Sequence, residues 1–187
     1  MRSAGIKAQY DSFFNGDVSL KDGVILEVGF DQTTPFVKCD ISSWVLDKAL
    51  SLKLPVVDNR AKNISCYCPE YTFVEKLQTI STKFRLQQNN QVMPINFLRH
   101  YYDIYKLLEN DRVLKFLGTS EYIAHKNLRF RQQDEKIIKN NPAFTMKNIT
   151  TKKLYGDEFK KKAAIYFETQ PTFDEIIERI RMHMDDL

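Results

Sequence analysis

Lys76, Arg99 and Asp103 are the residues of this chain whose types and spacing could do chemistry. In Tyr71-Thr-Phe-Val-Glu-Lys-Leu-Gln-Thr79 and the residues after it, Phe73, Leu77, Ile80 and Phe84 recur at helical spacing. Lys76 lies one turn from both Phe73 and Ile80, so its stem runs along the border of the buried stripe and its ammonium reaches the groove against a neighbouring helix. A second segment, Asn96-Phe-Leu-Arg-His-Tyr-Tyr-Asp-Ile-Tyr105, aligns Asn96, Arg99, Asp103, Lys106 and Asn110 as a polar row beside its tyrosines. Arg99 and Asp103 sit one turn apart, which allows an intrahelical ion pair. The base-first order is the weaker one, and an exposed pair of this kind is worth well under about 1 kcal/mol. Should the two helices pack antiparallel, Lys76, Arg99 and Asp103 would converge, offering a cation to a triphosphate and a carboxylate to a hydroxyl or a metal.

One further acid stands out. In Gly23-Val-Ile-Leu-Glu-Val-Gly-Phe30 the period of two puts Val24, Leu26, Val28 and Phe30 on one face and Ile25, Glu27 and Gly29 on the other. A carboxylate in an apolar strand is costly unless it is solvated, paired or bound to metal. Glu27 is therefore a candidate metal ligand, with a water-facing hairpin as the plain alternative.

The elements that must position these groups follow from pattern. Strands are expected over residues 5–14 and 23–30, joined by the turn signals Asn15-Gly16-Asp17 and Asp22-Gly23. A short amphipathic piece around Trp44-Val-Leu-Asp-Lys-Ala-Leu50 and an extended Pro55-Val-Val57 lead toward the helices. Helices are expected after Pro69, after Pro94 (Leu98, Tyr101, Tyr102, Tyr105 and Leu108), from Thr119-Ser120, and over residues 157–168. The last helix is the best marked: Thr172-Phe-Asp-Glu175 is a capping box after Pro171, followed by Phe173, Ile176, Ile177, Ile180 and Met184 as an apolar stripe. The fold class is α+β, a strand-rich piece over residues 1–62 feeding a C-terminal helical bundle over residues 63–187.

Composition agrees with a globular protein. The 187 residues are 43% hydrophobic and 12% aromatic, enough for a real core, and no segment is apolar enough to span a bilayer. No signal-peptide pattern opens the sequence, and three cysteines fit free thiols in a reducing compartment, so a cytoplasmic location is expected. Cys66 and Cys68 flank Tyr67 without further ligands at metal-binding spacing. The net charge of +4 is uneven: residues 126–162 hold eleven Lys/Arg against four acids. Such a block attracts phosphate, or is simply a solvated surface.

Four stretches carry a family resemblance: Val24-Ile-Leu-Glu-Val-Gly-Phe30, Tyr71-Thr-Phe-Val-Glu-Lys-Leu-Gln-Thr79, Arg99-His-Tyr-Tyr-Asp-Ile-Tyr-Lys-Leu107 and Pro171-Thr-Phe-Asp-Glu175. The chain resembles the C-terminal two thirds of the AbiEii/AbiGii family of nucleotidyltransferase-like toxins, whose fold is of the DNA-polymerase-β type. The resemblance implies that Lys76-Leu-Gln-Thr79 matches a Lys-x-x-Ala motif and Arg99-His-Tyr-Tyr-Asp103 an Arg-x-x-x-Asp motif. Lys76 and Asp103 would then be catalytic, Lys76 and Arg99 nucleotide-binding, and Glu27 the third acid of the metal site. Thr79 departs from the usual alanine. The Gly-rich loop and the paired aspartates of the family have no counterpart in this sequence.

The expected function is the C-terminal portion of a nucleotidyltransferase-type toxin, moving a nucleoside monophosphate from a nucleoside triphosphate to an acceptor of which RNA is the expected class. Mg2+ is the expected cofactor of a completed site, and an antitoxin protein an expected partner in a phage-defence setting. The alternative is a catalytically incomplete homologue that binds RNA or protein, with self-association through an exposed strand edge as one form of it.

Overall fold

The computed structural model describes residues 3–11, 23–31, 33–161, 166 and 170–187. Two antiparallel hairpin sheets precede a set of eight described helices, an α+β architecture in the expected order. In the first sheet β1 (Ser3–Ala8) pairs with β2 (Val24–Gly29), placing Gly5 opposite Glu27. Gly23 enters β2 with φ +84°, and a Cβ there would stand 2.5 Å from the Ala8 carbonyl oxygen, so only glycine fits that corner. β1 begins two residues earlier than expected and ends at Ala8, with residues 9–11 irregular. Positions 12–14 and the turn residues Asn15, Gly16, Asp17 and Asp22 lie outside the described residues.

The alternation in β2 does not divide a covered face from a wet one. Val24, Leu26, Val28 and Phe30 are exposed, and so is Glu27. The carboxylate therefore carries no burial cost, which is the water-facing alternative of the two readings given above.

The second sheet was not legible in advance. β3 (Phe36–Ile41) pairs with β4 (Ala61–Tyr67) around α1 (Trp44–Ser51), with an irregularity between Cys39 and Ile41. The stretch at Pro55 and Val57 is a connection rather than a strand. β4 crosses position 62 and runs through Cys68 into α2 (Pro69–Asn90), so sheet and bundle are joined without a linker.

α2 is the axis of the bundle. Pro69 occupies its first turn, where a missing N–H costs nothing, and Gln91 ends it in the left-handed region with φ 55°. Phe73, Val74, Leu77, Ile80 and Phe84 are buried at the spacing the sequence shows. Against them pack α3 (Arg99–Leu107), α4 (Asp111–Phe116), α5 (Ser120–Arg129) and α6 (Pro142–Thr145). α5 starts as expected, with the Thr119 side chain accepting from Tyr122 N. α4 was not expected; it is held by Asn110, whose side chain accepts from Arg112 N.

α7 spans Ile149–Lys160, starting eight residues before the expected helix, with Asn148 as its cap, and positions 162–165 and 167–168 of that expectation lie outside the described residues. α8 (Phe173–Met182) has the predicted capping box. Aromatic rings close the core: Tyr101 meets Phe173 edge-on at 5.1 Å, Phe97 meets Tyr155 at 5.5 Å, and all four are buried. The buried hydroxyls are satisfied, Tyr101 donating to Ala143 O at 2.8 Å and Tyr155 to Gln87 Oε1 at 2.9 Å.

Candidate functional site

α2 and α3 run in opposite directions: Lys76 meets Asp103, whereas Lys83, two turns later on α2, donates to Ile95 O just before α3 at 2.8 Å. Each helix buries its apolar stripe against the other, which leaves the residues at the stripe borders facing a common groove. There Lys76 Nζ stands 2.7 Å from Asp103 Oδ2, with side chains 27% and 32% exposed. The pair is thus neither sealed in the core nor loose in solvent, and a ligand can reach it.

Arg99 does not join this contact. It is exposed at the first residue of α3 and, among the described residues, makes no hydrogen bond or ion pair. The intrahelical Arg99–Asp103 pair is therefore not formed, because Asp103 turns across the groove to Lys76 instead. The rest of the polar row splits as well. Lys106 pairs with Glu109 at 2.8 Å and Asn110 caps α4.

Three residues at the groove carried no sequence expectation. His100 is buried, and its Nδ1 lies 3.5 Å from Asp103 Oδ2, too far for a good hydrogen bond and without another partner. Tyr166 packs against Tyr102 with tilted rings 4.3 Å apart, and its buried hydroxyl has no partner either. Lys83 adds a cation within electrostatic reach of Lys76 and Arg99. His100 and Lys83 were readable in principle, since each follows a motif residue by one or two turns or stands beside one; Tyr166 was not, being brought in from beyond α7.

The electrostatics are those of an anion site with one carboxylate. Burial works against ionisation of Asp103, but the His100 ring and the Lys76 ammonium outweigh it and hold the carboxyl below its ordinary value. Burial pushes the His100 imidazole down, Asp103 partly opposing and Lys76 and Lys83 adding to the shift, so the ring is neutral at pH 7. Burial also lowers Lys83, with Arg99 and Lys76 repelling its charge. Tyr166 is pushed up to about 12, by burial first and then by the Asp103 carboxylate, so its hydroxyl stays protonated. Three cations against one carboxylate leave the groove positive, and the unsatisfied His100 and Tyr166 atoms offer further polar contacts.

Glu27 is not brought to this groove by any described contact; it makes no hydrogen bond or ion pair with a described residue. No cluster of three or more His, Cys, Asp or Glu side chains suited to a metal ion occurs among the described residues. Asp103 is committed to an ammonium and Glu27 stands alone, so the described donor set does not fit a divalent cation. The cysteines are free, as expected, with Cys39 and Cys66 half-buried and Cys68 buried.

A second network lies on the opposite flank of α2, also unanticipated. Arg129 Nε reaches both oxygens of Glu75, at 2.7 and 2.8 Å, and Arg129 Nη2 lies 3.3 Å from Asp31 Oδ1 just after β2. His125 Nε2 lies 3.1 Å from Glu75 Oε1 and 3.4 Å from the Tyr67 hydroxyl on β4. Glu75 and Lys76 are consecutive, so this network fixes the turn of α2 that presents the lysine and ties it to the strands.

Comparison with known proteins gives a single finding. A family model described as "Nucleotidyl transferase AbiEii toxin, Type IV TA system" matches residues 2–179, which takes in both sheets and nearly all of the bundle. Searches of curated proteins and of solved structures return no match.

Proposed function

The chain belongs to the AbiEii nucleotidyl transferase toxin family, of the Type IV toxin–antitoxin kind, and on that premise we propose that the α2–α3 groove holds the triphosphate of a nucleotide whose nucleoside monophosphate is moved to RNA. The observation that carries this reading is the Lys76–Asp103 contact at 2.7 Å in a groove that also holds Lys83, Arg99 and two unsatisfied polar atoms. Lys76 and Arg99 hold phosphate oxygens, the ammonium as a compact charge and the guanidinium as a fork. Phosphate arriving at Lys76 competes with Asp103 for the ammonium, and the freed carboxylate positions a sugar or acceptor hydroxyl. His100, neutral, faces that carboxylate with Nδ1 at 3.5 Å and is free to contact the ligand.

The family's chemistry uses a divalent cation, Mg2+ being the expected one. The described residues do not fit it, so the roles assigned to this chain stop at binding anion and positioning a hydroxyl. Glu27 remains the proposed metal ligand on the sequence match alone, with further carboxylates needed from beyond the described residues. The family implies an antitoxin partner, and no described helix is long and apolar enough to cross a membrane; a cytoplasmic site of action agrees with both.

A second reading, an RNA- or protein-binding homologue without turnover, is favoured by the exposed apolar residues of the first sheet and its end, among them Leu26 at 56% and, just after β2, Phe30 at 90% exposure. Incubating the full chain with each α-labelled nucleoside triphosphate, magnesium and a total RNA pool decides between them. Label in RNA that disappears with Asp103→Ala is the expected result. No incorporation with any nucleotide, at protein concentrations where the triphosphate binds, would leave the binding module as the function.

A further inference from the structure

A cavity of about 650 Å3 opens between the C-terminal half of α2, the residues that follow α5, and the start of α7. Its volume lies in the range of small-ligand sites. It shares no lining residue with the Lys76–Asp103 groove, and Arg85 lies on the order of 13 Å along the helix axis from Lys76.

Asp134 sets the chemistry of this cavity. Its side chain is fully buried, and its carboxylate accepts from the Thr82 hydroxyl and from Arg85 Nε at 2.9 Å. A charge so buried persists only with such partners. The consequence falls on Arg85: pinned through Nε, its guanidinium plane is fixed, while among the described residues its terminal nitrogens donate to nothing. A fixed guanidinium is a stacking platform for a nucleobase, with an edge of free donors beside it. The Gln133 and Asn140 side chains line the same cavity, exposed and without hydrogen-bond partners among the described residues. Each primary amide presents a donor and an acceptor side by side, the pattern that complements a base edge. Phe84 adds an apolar surface.

The surroundings supply phosphate contacts. Lys147 lines the cavity and is exposed. From there α7 carries Lys152, Lys153 and Lys160 along a second groove; Lys152 is paired with Asp174 at 2.7 Å, while Lys153 and Lys160 are exposed. Those last two are about 10 Å apart along the helix axis, further than the phosphate of one mononucleotide can serve.

We infer that this cavity takes one unpaired base of a single-stranded RNA, stacked on Arg85 and read by Gln133 and Asn140, with the flanking phosphates on Lys147 and the lysines of α7. The inference rests on the acceptor half of the proposed function for the class of strand. Binding is read without any nucleoside triphosphate, so its failure and a failure of nucleotide binding at Lys76 are separate results. A free mononucleotide would meet the same groups, and the spread of lysines argues for the strand.

The test is fluorescence anisotropy of a short labelled single-stranded RNA with the full chain at low salt, competed by unlabelled strand, by duplex RNA and by a mixture of the four ribonucleoside monophosphates. The Gln133→Ala/Asn140→Ala double variant changes only exposed, unpartnered side chains and keeps its melting temperature. Arg85→Lys keeps a cation opposite Asp134 and loses the plane. Each should bind the strand about tenfold more weakly, the scale of one lost stacking or base-edge contact. Unchanged affinity in both cavity variants, or no strand binding by wild type, overturns the inference. Mononucleotides competing as well as the strand would assign the cavity to a free nucleotide and overturn it equally.

Discussion

Lys76 and Asp103, twenty-seven residues apart in sequence, face one another across the α2–α3 groove at 2.7 Å, and each keeps about a third of its side chain in contact with solvent. At that exposure the attraction is screened, and the pair adds little to folding. A double-mutant cycle with Lys76→Ala and Asp103→Ala, followed by urea unfolding, should give a coupling energy below about 1 kcal/mol. A coupling of several kcal/mol would make the pair a structural bridge and weaken the case for a ligand.

His100 predicts an acid sensitivity. Its folded-state pKa is lowered, so below its ordinary value of 6.5 the unfolded chain binds the proton that the folded chain refuses. Stability contributed by the neutral ring is therefore complete above that value and is lost as the pH falls beneath it. Asp103, also lowered, adds a second loss as the pH falls through the carboxylate range. Unfolding midpoints measured between pH 7.5 and pH 5 should decline, and His100→Phe should flatten the decline. Parallel slopes in wild type and variant would show that the ring does not titrate across folding.

The Glu75 network makes a prediction for the strands. Arg129 holds Glu75 on α2 and Asp31 after β2 with the same guanidinium. Arg129→Ala should cost about 1–2 kcal/mol, given the partial exposure of the contacts. It should also speed amide hydrogen exchange in β4 and the first turns of α2, while α8 stays protected.

Asp134 should be far more costly to disturb. With its side chain fully buried between Arg85 and Thr82, Asp134→Ala strands the guanidinium and should cost about 3 kcal/mol or more. Gln78, which donates to Thr82 at 2.7 Å at the edge of the same network, should tolerate Ala with a much smaller loss. Equal losses for the two would place the energy in packing rather than in the buried charge.

What could be read without coordinates was set by periodicity and end signals. α2, α5 and α8 each carry a long apolar stripe or a capping residue, and the lysine and aspartate that border the stripes could be placed in one groove on that basis. β3 and β4 could not be read: Phe36-Val-Lys-Cys-Asp-Ile41 and Ala61-Lys-Asn-Ile-Ser-Cys-Tyr67 are short, mostly exposed and interrupted by Lys, Asp and Asn, and their partnership spans an intervening helix. The start of α7 was not legible because its opening residues, Ile149, Thr150 and Thr151, are β-branched types with weak helical preference, and a lone Asn148 is a weak start signal. In the groove, Lys76 and Asp103 meet because both border a stripe, whereas Arg99 at the helix start stays exposed and pairs with neither. His125 and Arg129, one turn apart on α5, reach Glu75 only through packing that no local pattern encodes.

The α2–α3 groove is proposed as a triphosphate site. Isothermal titration of ATP, GTP and CTP with magnesium into wild type, Lys76→Ala and Arg99→Ala measures this most directly. At least one nucleotide should bind wild type, with affinity reduced about tenfold or more in Lys76→Ala and less in Arg99→Ala, in line with a lost charge-assisted contact. Binding of equal strength in all three proteins, or no heat of binding in wild type with any nucleotide, would contradict it.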